Sequence, residues 1–197
     1  MRKILIILFI LPILVSCYSK GAINVEQVEV NLPVILMRNS KNMTVRAIKF
    51  PLKLKIKNLS LKKRIFSNVR YYYHTRFEKN GWGWGAGFLY QLKDDNLVDE
   101  NNSKWKIIKC FSPEYYVVYT SHHIDSSELS QVIFKPYLEQ MKLLNQDTLA
   151  VSSIKDFKLK HREIVDSLLN RDTISIDFFD IRKGKPCYEN IKIPVKG

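Results

Sequence analysis

Apolar and polar residues alternate along most of this chain, most clearly over Ala47–Leu59. There Phe50, Leu52, Leu54 and Ile56 interleave with Lys49, Lys53, Lys55 and Lys57. Successive side chains of a strand point to opposite faces, so the pattern predicts a sheet with one buried and one wet face. A strand over Val25–Leu36 is expected from the alternation of Val28, Val30 and Leu32, and Asn58 to Arg64 reads as a basic turn. Phe66–Lys79 follows, with Val69, Tyr71, Tyr73 and Phe77 on the core side. Asn80-Gly81 suits a hairpin turn with positive φ at both central positions, and Trp82–Leu92 is the return strand. Lys93–Lys104 reads as a polar loop, Trp105–Lys109 as a short strand, and Tyr115–Ser121, beyond Pro113, as another.

At Asp125 the period lengthens. Asp125 with Glu128 fits a capping box, and Leu129, Ile133, Tyr137, Met141 and Leu144 recur at helical spacing. Pro136, in the middle, is expected to kink or split that helix. Ser152 or Ser153 caps a second helix, with Ile154, Phe157, His161, Ile164 and Leu168 on one face. Strands resume at Thr173–Ile181 and Tyr188–Val195, joined by a long turn over Arg182–Cys187. The sum is about seven strands with a helical pair, about 126–170, inserted before the last hairpin. That order suits a mainly β, antiparallel sandwich spanning 25–197, and by topology it resembles an immunoglobulin-like sandwich.

The first residues follow a different logic. Arg2 and Lys3 precede an apolar run from Ile4 to Val15 that is broken by Pro12. That run is well short of the ~20 residues of a spanning helix and matches the core of a cleaved export signal. It ends in Leu14-Val15-Ser16-Cys17, which resembles the lipobox of bacterial lipoproteins. The resemblance implies removal of residues 1–16, diacylglyceryl attachment to the Cys17 thiol, and a lipidated tether over 17–24. Tyr18 stands where an Asp retains enterobacterial lipoproteins in the inner membrane, so the analogy favours the outer membrane. Some Bacteroidetes surface lipoproteins carry an acidic patch after the cysteine; Ser19-Lys20-Gly21-Ala22 carries none, which favours a periplasm-facing orientation.

Export changes the meaning of the charge. The chain carries a formal +13, and loss of Arg2 and Lys3 lowers it by two. A balance this basic ordinarily suggests nucleic acid. Outside the cytoplasm the relevant polyanions are phospholipid headgroups, lipopolysaccharide phosphates and peptidoglycan carboxylates, or the charge simply serves solubility. With Cys17 taken by lipid, Cys110 and Cys187 remain as a candidate disulfide pair, and two free thiols are the alternative.

Three surface features carry candidate chemistry. Trp82 and Trp84, spaced by Gly83, share a face if extended and suit a ligand platform for a sugar, or else core packing. Lys53, Lys55 and Lys57, with Lys62, Lys63 and Arg64 beyond them, form a basic patch suited to an anionic surface, or to protecting an edge strand. His122 and His123 are adjacent, so a strand sends them to opposite faces and they do not share a metal ion. G-x-S-x-G, H-E-x-x-H, the P-loop and C-x-x-C are all missing from the sequence, and no cofactor motif is present. The expectation is a lipid-anchored envelope protein with a non-catalytic binding or scaffolding role. Its partner is an envelope protein or an anionic envelope polymer. Glycan binding through Trp82 and Trp84 is the alternative.

Overall fold

The computed structural model describes residues 21–74, 84–86, 88–94, 96–99, 105–127, 131–182 and 185–197. The chain is mainly β, with three antiparallel sheets forming a β-sandwich and a helix-covered layer.

Sheet I runs in the order β1 (Ile23–Val28), β4 (Pro51–Asn58), β10 (Pro113–Tyr119), β7 (Phe88–Lys93) and β8 (Asn96–Asp99). Sheet III is β14 (Lys185–Pro194), β13 (Thr173–Arg182) and β5 (Arg64–Tyr72). The far edge of β5 pairs with β6 (Trp84–Ala86) at one end and β9 (Lys106–Ile108) at the other. The two inner faces meet in one core. Leu52, Leu54, Ile56 and Tyr116 of sheet I pack against Phe66, Tyr71, Ile174 and Phe178 of sheet III. Fully burying a Leu or Phe side chain contributes about 1.5–3 kcal/mol, so this double row holds the sandwich closed.

Sheet II has the order β11 (His122–His123), β3 (Thr44–Lys49), β2 (Pro33–Asn39) and β12 (Thr148–Ser153). Its apolar face is covered by α1 (Lys135–Leu143), α2 (Ile154–Lys160) and α3 (Arg162–Leu169). Val34, Leu36 and Ile48 of the sheet form a second core with Phe134, Met141, Phe157 and Val165. Ile154 and Val195 pack against both cores and tie the layer to the sandwich.

Several predicted strands divide between sheets. Ala47–Leu59 is not one strand: β3 ends at Lys49 in sheet II and β4 starts at Pro51 in sheet I. Pro51 brings no N–H, which suits a break in the ladder. Val25–Leu36 likewise divides into β1 and β2, with Pro33 opening the second. Trp82–Leu92 divides into β6 on sheet III and β7 on sheet I. Across Phe50 the alternation of Ile48, Phe50, Leu52 and Leu54 is unbroken, because both halves keep one face toward a core, whereas it shifts by one residue between Ile23 and Val25 of β1 and Val34 and Leu36 of β2.

Other boundaries move. Ala22 and Ile23 are buried and β1 starts at Ile23, so the folded domain begins inside the expected 17–24 tether. The polar segment after Lys93 contains β8, whose four residues are all exposed. Its adjacent Leu97 and Val98 give no alternation, because it is an edge strand with both faces wet. The helix expected from Asp125 is split at Pro136: a 3-10 turn at Val132–Phe134 precedes α1, and Pro136 stands in the first turn of α1, where a missing N–H costs no bond. The second predicted helix is two, broken at His161 (φ −135°, ψ 48°), and Ser153 is its cap, accepting from Asp156 N–H at 3.2 Å. Arg182 pairs directly with Lys185, so the last turn is shorter than Arg182–Cys187.

Candidate functional site

The sequence-nominated residues do not assemble into one site. Cys17 and Trp82 lie outside the described residues. The backbone of Trp84 pairs with Tyr72 at the edge of sheet III, and its side chain lies outside the described residues.

Cys110 is a free thiol, so the nominated pairing with Cys187 is not formed. The registers give the reason. Cys187 sits opposite Asp180 on β13, Asp180 is ion-paired to Arg64 on β5, and Arg64 sits opposite Ile108 on β9. Three strand spacings, about 14 Å, lie between Cys187 and Ile108, and Cys110, two residues further on, bridges to Asn58 of β4. The side chain of Cys187 lies outside the described residues.

The basic patch is also dispersed. Lys53, Lys55 and Lys57 lie on the outer face of sheet I, but β4 is flanked by β1 and β10, so they protect no edge. Lys55 is paired with Glu26 at 2.7 Å, and Lys53 sits over the Tyr115 ring at 4.9 Å. Lys62 and Lys63 are exposed in the following turn. Arg64 faces inward: its side chain is 12% exposed and lies 3.2 Å from the buried Asp180 carboxylate.

A different cationic surface is built where the two cores meet. At the end of β1 the chain leaves sheet I and crosses through residues 29–32 to sheet II. On the other side Ser153 turns β12 into α2. Between them lies a groove of about 1110 Å³. Its cations are Lys53, Lys155, Lys158, Arg162 and Lys196. Glu29 lines it, Asp166 stands behind it, 2.6 Å from Lys158 and 3.4 Å from Arg162, and Lys158 also donates to Gly197 O at 3.0 Å, which leaves the cations in excess. The hydrogen bond from Lys158 holds the Asp166 carboxyl below its ordinary range. Aliphatic surface from Val28, Val30, Ile154 and Leu159 separates the charges. The C-terminal wall is fixed by Gln27, which donates to Lys196 O at 2.7 Å and accepts from Lys196 N–H at 2.9 Å.

Sequence reasoning missed this groove because its walls come from residues as distant as 27 and 196. One local signal was present. Lys155 and Lys158 follow an i, i+3 spacing on α2, which puts two cations on one helical face, and Arg162 opens α3 just beyond the break at His161.

Two other clusters frame the choice. On the outer face of sheet III an apolar row crosses four strands: Tyr188 opposite Phe179, Phe179 opposite Ile65, and Ile65 opposite Ile107. Trp105 extends the row edge-on to Phe179, with ring planes at 82°. Tyr188 and Phe179 are inclined at 55°, so these rings make no flat platform. At the seam between the cores, Tyr71 donates to Asp172 at 2.6 Å and His122 lies 3.8 Å from the same carboxylate. A Tyr–His–Asp set is familiar catalytic chemistry, but these three residues are at most 2% exposed and a substrate has no access. His123, next along β11, is exposed, as strand alternation requires. Among the described residues no three His, Cys, Asp or Glu side chains lie close enough to hold a metal ion. No protein-family model matches the chain, and no curated protein matches it.

Proposed function

We infer that the chain is a lipid-anchored protein of the bacterial envelope whose folded domain holds a partner instead of carrying out a reaction. The anchor is the Cys17 thiol, on the outer membrane and facing the periplasm. The observation that carries this reading is the placement of the groove on β1. That strand starts at Ile23, six residues after Cys17, and ends at Val28 in the groove wall. A strand of this length rises roughly 17 Å. A short sequence separation between anchor and groove suits a domain that presents its cationic groove to polymers or proteins of the envelope. A high local concentration of partner at the membrane follows from such tethering, without any extra contact.

The test is palmitate labelling and in-envelope crosslinking of the wild-type protein and Cys17→Ser. The expected result is a lipid label on wild type alone, with a defined set of crosslinked partners that diminishes in the soluble variant. A wild-type protein without lipid label ends the anchor reading, and an unchanged partner set ends the tethered role.

Glycan recognition is a second reading, and the exposed row containing Trp105, Phe179 and Tyr188 supports it, with Trp105 51% and Tyr188 55% exposed. It moves the aromatic surface away from Trp82 and Trp84. Trp105→Ala should then abolish binding on a glycan array with the fold intact.

A further inference from the structure

We propose that the basic groove binds an acidic, extended segment of a partner protein. This rests on the reading of the chain as a binding protein and names the chemistry of its ligand.

Charge sets the sign of that ligand. Five cations and the Glu29 carboxylate line the groove, Asp166 offsets Lys158 and Arg162, and Lys158 also donates to Gly197 O at 3.0 Å. Lys155 and Lys196 are exposed, and the nearest carboxylate to Lys155 is Glu29 at 4.0 Å. Their charges are available to a ligand at little desolvation cost, which favours steering and sign selection.

The lining sets the class. Leu159, 80% exposed, stands in the wall with Val28, Val30 and Ile154, so aliphatic contacts lie between the charges. Aliphatic side chains interspersed with carboxylates match that spacing. A sugar would want an aromatic face, and no described lining residue is aromatic. A lipid acyl chain would want enclosure, whereas the Lys155 and Glu29 side chains on the walls are 79% and 94% exposed. Finally, the backbones of Val30 and Asn31 make no hydrogen bond among the described residues, which leaves N–H and C=O groups for an incoming main chain.

The experiment uses the full-length lipidated protein in non-ionic detergent and a fluorescent octapeptide of alternating Glu and Val, read by anisotropy. Saturable binding that weakens with salt is expected. Lys155→Glu with Lys196→Glu should lower affinity about tenfold or more. Both side chains are exposed, so an unchanged melting curve will accompany the loss. Lys62→Glu with Lys63→Glu makes the same charge change on the distant turn and should stay within about twofold. N-methylation of alternate peptide amides should weaken binding several-fold.

Equal losses in the two double variants would reduce the effect to net charge and overturn the proposal. So would an N-methylated peptide that binds as well as the parent, or no binding of the peptide. Tighter, groove-dependent binding of polyphosphate, a sulfated glycan or anionic vesicles would assign the groove to another ligand class and likewise overturn it. A protein that is lipidated and crosslinks to partners in the envelope but ignores the peptide fails this proposal alone. Peptide binding by a protein that carries no lipid fails the anchor reading alone.

Discussion

His122 Nε2 stands 3.8 Å from Asp172 Oδ2 across the seam between the two cores, and neither ring nitrogen has a hydrogen-bond partner. The acid is committed elsewhere, accepting from the Tyr71 hydroxyl and the His74 N–H, each at 2.6 Å. The ring is held by aromatic edges instead, with Tyr73, Phe50 and Tyr71 centroids at 5.1, 5.5 and 5.8 Å. Burial pushes His122 down to about 4, and nearby His123 adds to the shift. The carboxylate at 3.8 Å pulls the other way, but desolvation of the charged ring outweighs it.

This arrangement makes stability fall with acid. Unfolded, His122 takes its proton near pH 6.5; folded, it resists until about 4. Between those values the unfolded state binds more protons, so stability rises with pH across the window and is lost as pH falls through it. A shift of this size corresponds to about 3 kcal/mol. His122→Phe keeps the aromatic packing and removes both unpaired nitrogens. We predict that the variant is at least as stable as wild type at pH 7 and loses about 3 kcal/mol less between pH 7 and pH 4. Urea midpoints of the pair at several pH values measure this, and parallel pH profiles would refute it.

Two adjacent strands change sheets together at Phe50 and Thr120. Thr120 N–H donates to Phe50 O at 3.0 Å, and the Thr120 hydroxyl accepts from Phe50 N–H at 3.4 Å. Both residues are fully buried. Thr120→Val conserves shape and strands the Phe50 N–H, so it should cost about 2 kcal/mol, about 6 °C in melting temperature. Thr120→Ser keeps the hydroxyl and should cost about half as much. A serine variant less stable than the valine one would mean that packing, not the hydrogen bond, holds this corner.

That corner also marks the limit of what the sequence made legible. Period-two alternation identified buried positions well: Leu52, Leu54, Ile56, Val69 and Tyr71 are all in the core as expected. It says nothing about which sheet a strand joins, because residues on either side of Phe50 keep the same alternation while facing different cores. β12 was missed because its six residues, TLAVSS, hold few large apolar positions and its partner β2 lies over a hundred residues away. The groove was hidden for the same reason. Its charges are ordinary surface lysines in the sequence, and only the crossing of residues 29–32 beside α2 brings them together.

The cysteine geometry predicts reactivity. Cys110 is a half-buried free thiol whose backbone bridges to Asn58 of β4. Alkylation in denaturant without reductant should therefore add two labels to the lipidated protein, at Cys110 and Cys187. A protein that gains two labels only after reduction would refute the free thiol at Cys110.

The last residues of the chain are held by two side chains, Gln27 at Lys196 and Lys158, which donates to Gly197 O at 3.0 Å. Gln27 makes paired bonds to the backbone of Lys196, and Val195 N–H donates to Asp172 O at 2.9 Å just before it. Lys196 is exposed, so little apolar burial adds to these bonds. Gln27→Ala should lower global stability by about 1 kcal/mol or less, while the Lys196 amide exchanges far faster. Hydrogen exchange resolved at the C-terminus separates the two effects. The Lys196 amide should approach its unprotected rate while the Val195 amide, bonded to buried Asp172, stays slow. Equal acceleration at both positions would show that the segment opens as one unit and that Gln27 is not its clamp.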